Sequence, residues 1–286
     1  MNFFINQAFN GLSYAGLLFL LAGGMTLTFG VMRIINIAQG SFYLIGGFLG
    51  WFIIRHVGDF WLALVFSTIT VGGLGMLIER FLIRGTEGQD LRQMLLTMGI
   101  VLCVTDVTTM IFKGYPLTID PPNWALGALS VGGFFFPVIR VMVLGAALLV
   151  YVALWWLLQR TKAGAMVRAA VDNRQVAQAF GINVSLLSMT VFGIGAAMSA
   201  FGGVIGGAVI AVYTGVDMEV LPLVFVVVIL GGMGSLKGAA LGALIIGLLD
   251  NFGKVLFPEL SYFTLFIPMA VILAVKPSGI FGRAYR

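Results

Sequence analysis

Apolar runs of membrane-crossing length alternate along this 286-residue chain with short polar inserts. Residues 11–29 form the first run, long enough at ~1.5 Å per residue to cross a hydrocarbon core. A polar insert, 33–39, follows it. The run 42–54 is short for a span and ends at Arg55, His56 and Asp59. Runs 60–78 and 94–112 flank a loop, 79–93, that holds three Arg and three acids. Residues 113–137 are turn-rich, with Pro116, Pro121, Pro122 and Pro137, and read as an extramembrane loop with room for a short surface helix. Run 138–158 leads into 159–184, the longest stretch that a bilayer would reject, and 186–211 emerges from it. Residues 213–220 carry Asp217 and Glu219 with no cation. Runs 221–230 and 239–252 are interrupted by the GGMGSLKG of 231–238, and 262–275 is the last. The pattern predicts an all-α polytopic membrane protein, one transmembrane domain over residues 1–286.

Composition agrees. Hydrophobic residues make up 60% of the chain and charged residues 9%, with a mean hydropathy of +1.08. A soluble domain carries roughly 25% charged residues. A formal charge of +5 would suggest nucleic acid in a soluble chain. Here the cations sit between spans, where they set orientation instead, and no nucleic-acid partner is expected. Residues 159–184 hold Arg160, Lys162, Arg168 and Arg174 against Asp172, which places them in the cytoplasm. If 221–252 crosses twice, twelve of the sixteen Lys and Arg are cytoplasmic, and only Arg55, Lys113, Arg140 and Lys254 lie at or near the outer side. One crossing would put Lys276, Arg283 and Arg286 outside. The positive-inside rule thus favours eight or nine transmembrane helices, N-terminus out and C-terminus in. No Lys or Arg precedes the first run and no small-residue cleavage site follows it, so it reads as a retained span. The thirty-nine glycines argue for helices packed through small faces. Two ladders stand out: Gly195, Ser199, Gly203 and Gly207, and Gly234, Gly238 and Gly242. Plain helix packing accounts for both.

The polar stretch 159–184 has the marks of a short capped helix. Asp172 is placed to accept the orphan N–H groups of a first turn, with Gln175 three residues on at capping-box spacing. Gly181 supplies a left-handed stop, and Ile182 is placed to fold back onto Val176 or Ala177. The surface between the caps is small and polar at Ala177, Gln178 and Ala179, a face on which another protein could close. A solvated connector between two spans explains the same pattern, and the spacing leaves both readings open.

Enzyme chemistry has no foothold. GxxxxGK[ST], HExxH, paired cysteines and a nucleophile elbow are all missing, and Cys103 stands alone, so no catalytic or metal-ligating set and no cofactor is expected. His56, beside a span end, reads as a loop residue. Asp106 lies in an apolar run among Thr105, Thr108 and Thr109; an intramembrane carboxylate is a functional candidate. A structural Asp bonded to neighbouring helices, or paired with Lys113, is the alternative. Thr26, Thr97 and Thr190 place hydroxyls in the apolar runs, polar without a fixed charge, and are candidates to line a path. Their alternative is a bond to their own helix backbone.

Three stretches carry a family resemblance: LTFGVMRIINIAQGSFYLIGG (27–47), TKAGAMVRAAVDNRQVAQAFGINV (161–184) and VVILGGMGSLKGAALGALIIG (227–247). They resemble the integral-membrane permeases of bacterial ABC importers for branched-chain amino acids, the LivH type, and with the intervening pattern the likeness covers nearly the whole chain. The resemblance implies a multi-pass permease of the inner membrane whose coupling segment, 159–184, docks a cytoplasmic ATPase through Asp172, Gln175, Ala177, Gln178, Ala179 and Gly181. It implies a second related permease, two ATPase subunits that hold the ATP, and a periplasmic binding protein. With the first signature, Asn36 and Gln39 join Thr26, Thr97, Asp106 and Thr190 as candidate path residues. The family usually has His where this chain has Gln39, which keeps a donor and an acceptor but loses a titratable group. Permeases for urea, short amides or sugars look similar, and a stand-alone channel is the rival from another class.

Overall fold

The computed structural model describes residues 2–131, 134–256, 258–276 and 278–282. Hydrocarbon offers backbone N–H and C=O groups no partner but one another, so the apolar runs become helices. In chain order these are α1 (Asn2–Met32), α2 (Gln39–Val57), α3 (Phe60–Ile78), α4 (Asp90–Phe112), α5 (Val138–Arg160), α6 (Lys162–Asp172), α7 (Arg174–Ala179), α8 (Val184–Gly207), α9 (Val216–Gly231), α10 (Leu236–Leu256) and α11 (Ser261–Val275). Among the described residues six are long and apolar enough to cross a membrane: α1, α3, α4, α5, α8 and α10.

α8 is the axis. Its ladder of small residues seats α1 and α2 at backbone distance, as the spacing predicts. A Cβ on Gly203 would fall 2.1 Å from the Tyr43 carbonyl oxygen, and one on Gly46 would fall 2.3 Å from Ala200 Cα. α3 closes on the other side of α8, and α9 and α10 pack beside α1. By contrast α4 and α5 present Leu102, Met110, Leu148, Leu149 and Trp156 outward, as helices facing lipid or another subunit would.

Several expectations change. α1 starts at Asn2 and runs to Met32, longer than the apolar run alone. Residues 79–86 are not a loop: α3 continues through a π-turn, Glu79–Ile83, and a 3₁₀ turn, Arg84–Thr86. The expected surface helix in 113–137 is instead a single 3₁₀ turn, Asn123–Ala125, followed by a β-hairpin of β1 (Ala128–Val131) and β2 (Phe134–Pro137), with Leu129 opposite Phe136. Residues 221–252 form two helices, which reverse through Gly232 and Gly234 at φ +98° and +82°. Gly234 therefore belongs to the turn and not to the ladder, whereas Gly238 and Gly242 press on Gly231 and Val227. Arg283 and Arg286, used in the charge count, lie outside the described residues.

The least expected feature is depth. Gln39, the first residue of α2, meets α8 at Gly195 and Ser199, about halfway along that helix. It also faces Gly24 of α1, more than two turns before the C-terminal end of that helix at Met32. The insert 33–38 therefore turns back into the protein. α9 is its counterpart. A Cβ on Gly40 would lie 2.9 Å from the Asp217 carbonyl oxygen, so α9 also begins within the protein and runs toward the C-terminal end of α1, where Gly234 touches Gly30. Within 213–220, Val216–Val220 forms the first turn of α9, where Asp217 is 1% exposed while Met218 and Glu219 stay exposed. Non-helical backbone at this depth is tolerated because protein encloses it.

Candidate functional site: a two-helix knuckle and the polar core above it

The polar stretch folds as two helices at an angle, set by a cap at every corner. Thr161 leaves α5 and caps α6: its Oγ1 donates to the Leu157 carbonyl (2.6 Å) and accepts from Gly164 N–H (3.1 Å). Gly164 fits the corner because any Cβ there would strike the Leu157 and Leu158 carbonyl oxygens. Asn173 is extended (φ −154°, ψ 107°) and ends α6 while starting α7; its Oδ1 accepts from Gln175 N–H (3.0 Å) and Val176 N–H (3.1 Å). The expected cap at Asp172 is corrected by one residue. Asp172 is the last residue of α6, and the side chain that caps α7 is that of Asn173.

The far end agrees with the sequence. Gly181 has φ +80°, its N–H reaches the Gln178 carbonyl (2.9 Å), and Ile182 N–H reaches the Ala177 carbonyl (3.1 Å). That pair of bonds is a Schellman stop. Asn183 then caps α8 by accepting from Leu186 N–H (3.0 Å). Ala170, Ala177, Val184 and Leu187 form a small apolar core inside the knuckle, with Ile182 against it. Ala177 is therefore buried (2% exposed), a correction to the expected small outer face. What faces outward is Gln175, Val176, Gln178, Ala179 and Phe180, the last 82% exposed.

Two ion pairs tie the knuckle to the α3–α4 connection. Arg174 of α7 pairs with Glu87. Arg84 pairs with the fully buried Glu79 (2.9 Å) and also donates to the Ser185 carbonyl at the start of α8 (3.2 Å). The connection 79–89 is thus bolted to both ends of the α7–α8 corner. No sequence signal distinguished Glu79, Arg84 and Glu87 from the other loop charges.

Between the knuckle and the membrane interior lies a cavity of about 750 Å³. Arg33, Arg168, Asp172 and Lys237 are the charged residues among its lining, which also includes Thr26. Thr26 is 1% exposed, and its hydroxyl has no hydrogen-bond partner among the described residues. Asn36 and Gln39 are fully buried. Asn36 donates to Gln39 Oε1 (3.2 Å) and accepts from Ala38 N–H (3.1 Å), while Gln39 Nε2 donates to the Gly195 carbonyl (2.9 Å) and Ser199 Oγ (2.6 Å). Thr97 and Thr190 bond to the Met94 and Leu187 carbonyls of their own helices. Asp106 points outward from α4. The structure therefore brings Asn36 and Gln39 together and leaves Thr97, Asp106 and Thr190 apart from them.

Apolar spans around a small-residue axis, with a rigid capped knuckle at one end and a polar cavity behind it, define a multi-pass membrane permease. The model of the branched-chain amino acid transport system / permease component family matches residues 7–275, and the chain belongs to that family. It is 27% identical to the high-affinity branched-chain amino acid transport system permease protein BraD of Pseudomonas aeruginosa, over 98% of this chain and 96% of that protein. It is 26% identical to LivH of Escherichia coli, with the same coverage of both chains. The ribose import permease protein RbsC of Escherichia coli is 24% identical, over 95% of this chain and 85% of its own.

Proposed function

We propose that this chain is the membrane-spanning permease subunit of an ATP-driven importer of branched-chain amino acids in a bacterial inner membrane. Family membership over nearly the whole chain carries this reading, together with relatives named for that transport. Among the described residues nine helices cross or partly cross the bilayer, N-terminus out and C-terminus in, with α2 and α9 starting inside. The chain itself hydrolyses nothing. A cytoplasmic ATPase docks on the knuckle at Gln175, Gln178 and Ala179, joined by the exposed Phe180. Ala177 and Gly181 hold the shape of that surface, with Asp172 beside it at the end of α6. A second permease covers the outward apolar faces of α4 or α5, and a periplasmic binding protein delivers substrate. Thr26, Asn36 and Gln39 lie by the path, with Thr97, Asp106 and Thr190 as outlying candidates. The test is uptake of labelled leucine, isoleucine and valine in cells expressing the complete transporter, with and without its ATPase. Uptake that is saturable, ATPase-dependent and unaffected by excess ribose is expected. Uptake that persists without the ATPase would make the chain a channel, and competition by ribose would make it a sugar permease.

A further inference from the structure

Asp217 is the most anomalous charge in the molecule. It is 1% exposed, lies at the internal start of α9, and among the described residues neither carboxylate oxygen has a hydrogen-bond partner. A carboxylate in such surroundings is costly unless something neutralises it. Its neighbours are equally unsatisfied. The Thr105 hydroxyl of α4 and the backbone N–H groups of Gly215, Asp217 and Met218 face the carboxylate, none of them at full hydrogen-bond geometry, and Thr105 Oγ1 has no other partner. Ser41 is fully buried beside Gly40, whose backbone abuts Asp217, and Ser41 Oγ also lacks a partner.

Helix geometry puts the two hydroxyls at one level. α4 returns from the end of α3, so it runs parallel to α2, and the rings of Phe48 and Phe112 stack at 4.1 Å between them. Ser41 and Thr105 each lie seven residues, two turns, before those rings and on the same helix faces. Three unsatisfied oxygens thus meet at the start of α9, two from Asp217 and one from Thr105, and the register puts a fourth, Ser41 Oγ, at the same level on the α4-facing side of α2. Native proteins rarely leave buried polar atoms so. One carboxylate among hydroxyls matches a single positive charge. Among the described residues no group of three or more His, Cys, Asp or Glu side chains exists, and a single carboxylate balances one positive charge and not two.

The geometry points to a binding site for a small monovalent cationic group at Asp217, Ser41 and Thr105, midway through the membrane. Two sources share that chemistry: a resident alkali cation, or the ammonium of an amino-acid substrate, whose three N–H donors fit a carboxylate and two hydroxyls. The second source rests on the function proposed above; the first does not.

Thermal unfolding of the assembled transporter, purified in nanodiscs, separates them. NaCl or KCl is titrated against choline chloride at constant ionic strength, and L-leucine is compared with isocaproate, which lacks the ammonium. A saturable rise in midpoint with Na⁺ or K⁺ identifies a resident cation. A rise with leucine but not isocaproate identifies the substrate ammonium. In either case Asp217→Asn removes the rise, while Asp120→Asn, in the outer loop, keeps it. Should Asp217→Asn fail to fold, Ser41→Ala and Thr105→Val still report, each raising the half-saturating concentration about tenfold, the scale of one lost hydrogen bond to a charge. No midpoint rise in the wild-type transporter with either probe, or one that the Asp217, Ser41 and Thr105 variants share unchanged, overturns the site and leaves Asp217 a purely structural group. Leucine uptake by wild-type cells tests the transport function separately.

Discussion

Replacing Gln39 by Leu removes the amide that joins three elements at mid-depth while keeping nearly the same volume. Three hydrogen bonds vanish: those to the Gly195 carbonyl and Ser199 Oγ, and the one from Asn36. Interhelical hydrogen bonds in membrane proteins average about 0.6 kcal/mol, so their direct loss is about 2 kcal/mol. The Gly195 carbonyl keeps its place in the ladder of α8, and Ser199 Oγ can turn to a carbonyl of its own helix. Asn36 Nδ2 has no such recourse, because residues 33–38 are non-helical and Asn36 is fully buried. An orphaned buried donor adds about 1–3 kcal/mol, for a total of about 3–5 kcal/mol. That is enough to let α2 drift from α8, so the Leu variant should melt well below wild type in detergent. Gln39→His is the informative control. One ring nitrogen accepts from Asn36 and the other donates to Ser199, so only one bond is lost and most of the stability should return. A Leu variant as stable as wild type, or a His variant as damaged as Leu, would refute this account of the break between α1 and α2.

Asn173→Ala should lose about 1 kcal/mol of cap, read as roughly fivefold faster amide exchange across 174–181, whereas Asp172→Ala should leave that exchange unchanged. Gly181→Val forces a β-branched residue to φ +80° and should disorder the end of α7, with loss of transport at normal membrane insertion. On the exposed face, Ala179→Trp and Phe180→Ala should each keep the fold within about 0.5 kcal/mol yet lose co-purifying ATPase; full retention in both would make the knuckle a solvated connector. The Arg174–Glu87 pair is about a third exposed on each side, so its coupling energy in a double-mutant cycle should stay below about 1 kcal/mol, and exchanging the two charges should restore what either reversal removes.

The parts that were legible in the sequence obey local rules. Apolar length gave the spans, the every-fourth-residue ladder of α8 gave its packing face, and Gly181 gave the stop of α7, because each depends on residues within a turn or two. Asn173 was missed in favour of Asp172 because both accept N–H groups at the N-cap, and only backbone geometry separates a last helical residue from an extended one. Ala177 was placed outside because nothing local says that Val184 and Leu187 fold back over it. The burial of Asp217 had no local signal at all. Thr214, Gly215, Asp217 and Glu219 together look aqueous, and hydropathy assumes that irregular polar chain lies at the surface. In this fold irregular chain lies at mid-depth twice, before α2 and before α9, since Gly40 lets the two starts touch and the surrounding helices shield them from lipid. A polar insert beside a short apolar run is therefore evidence of a helix that begins inside as much as of a loop. Here, where α2 and α9 both begin, the interior polar groups collect: Asn36, Gln39 and Ser41 on one side, Asp217 on the other.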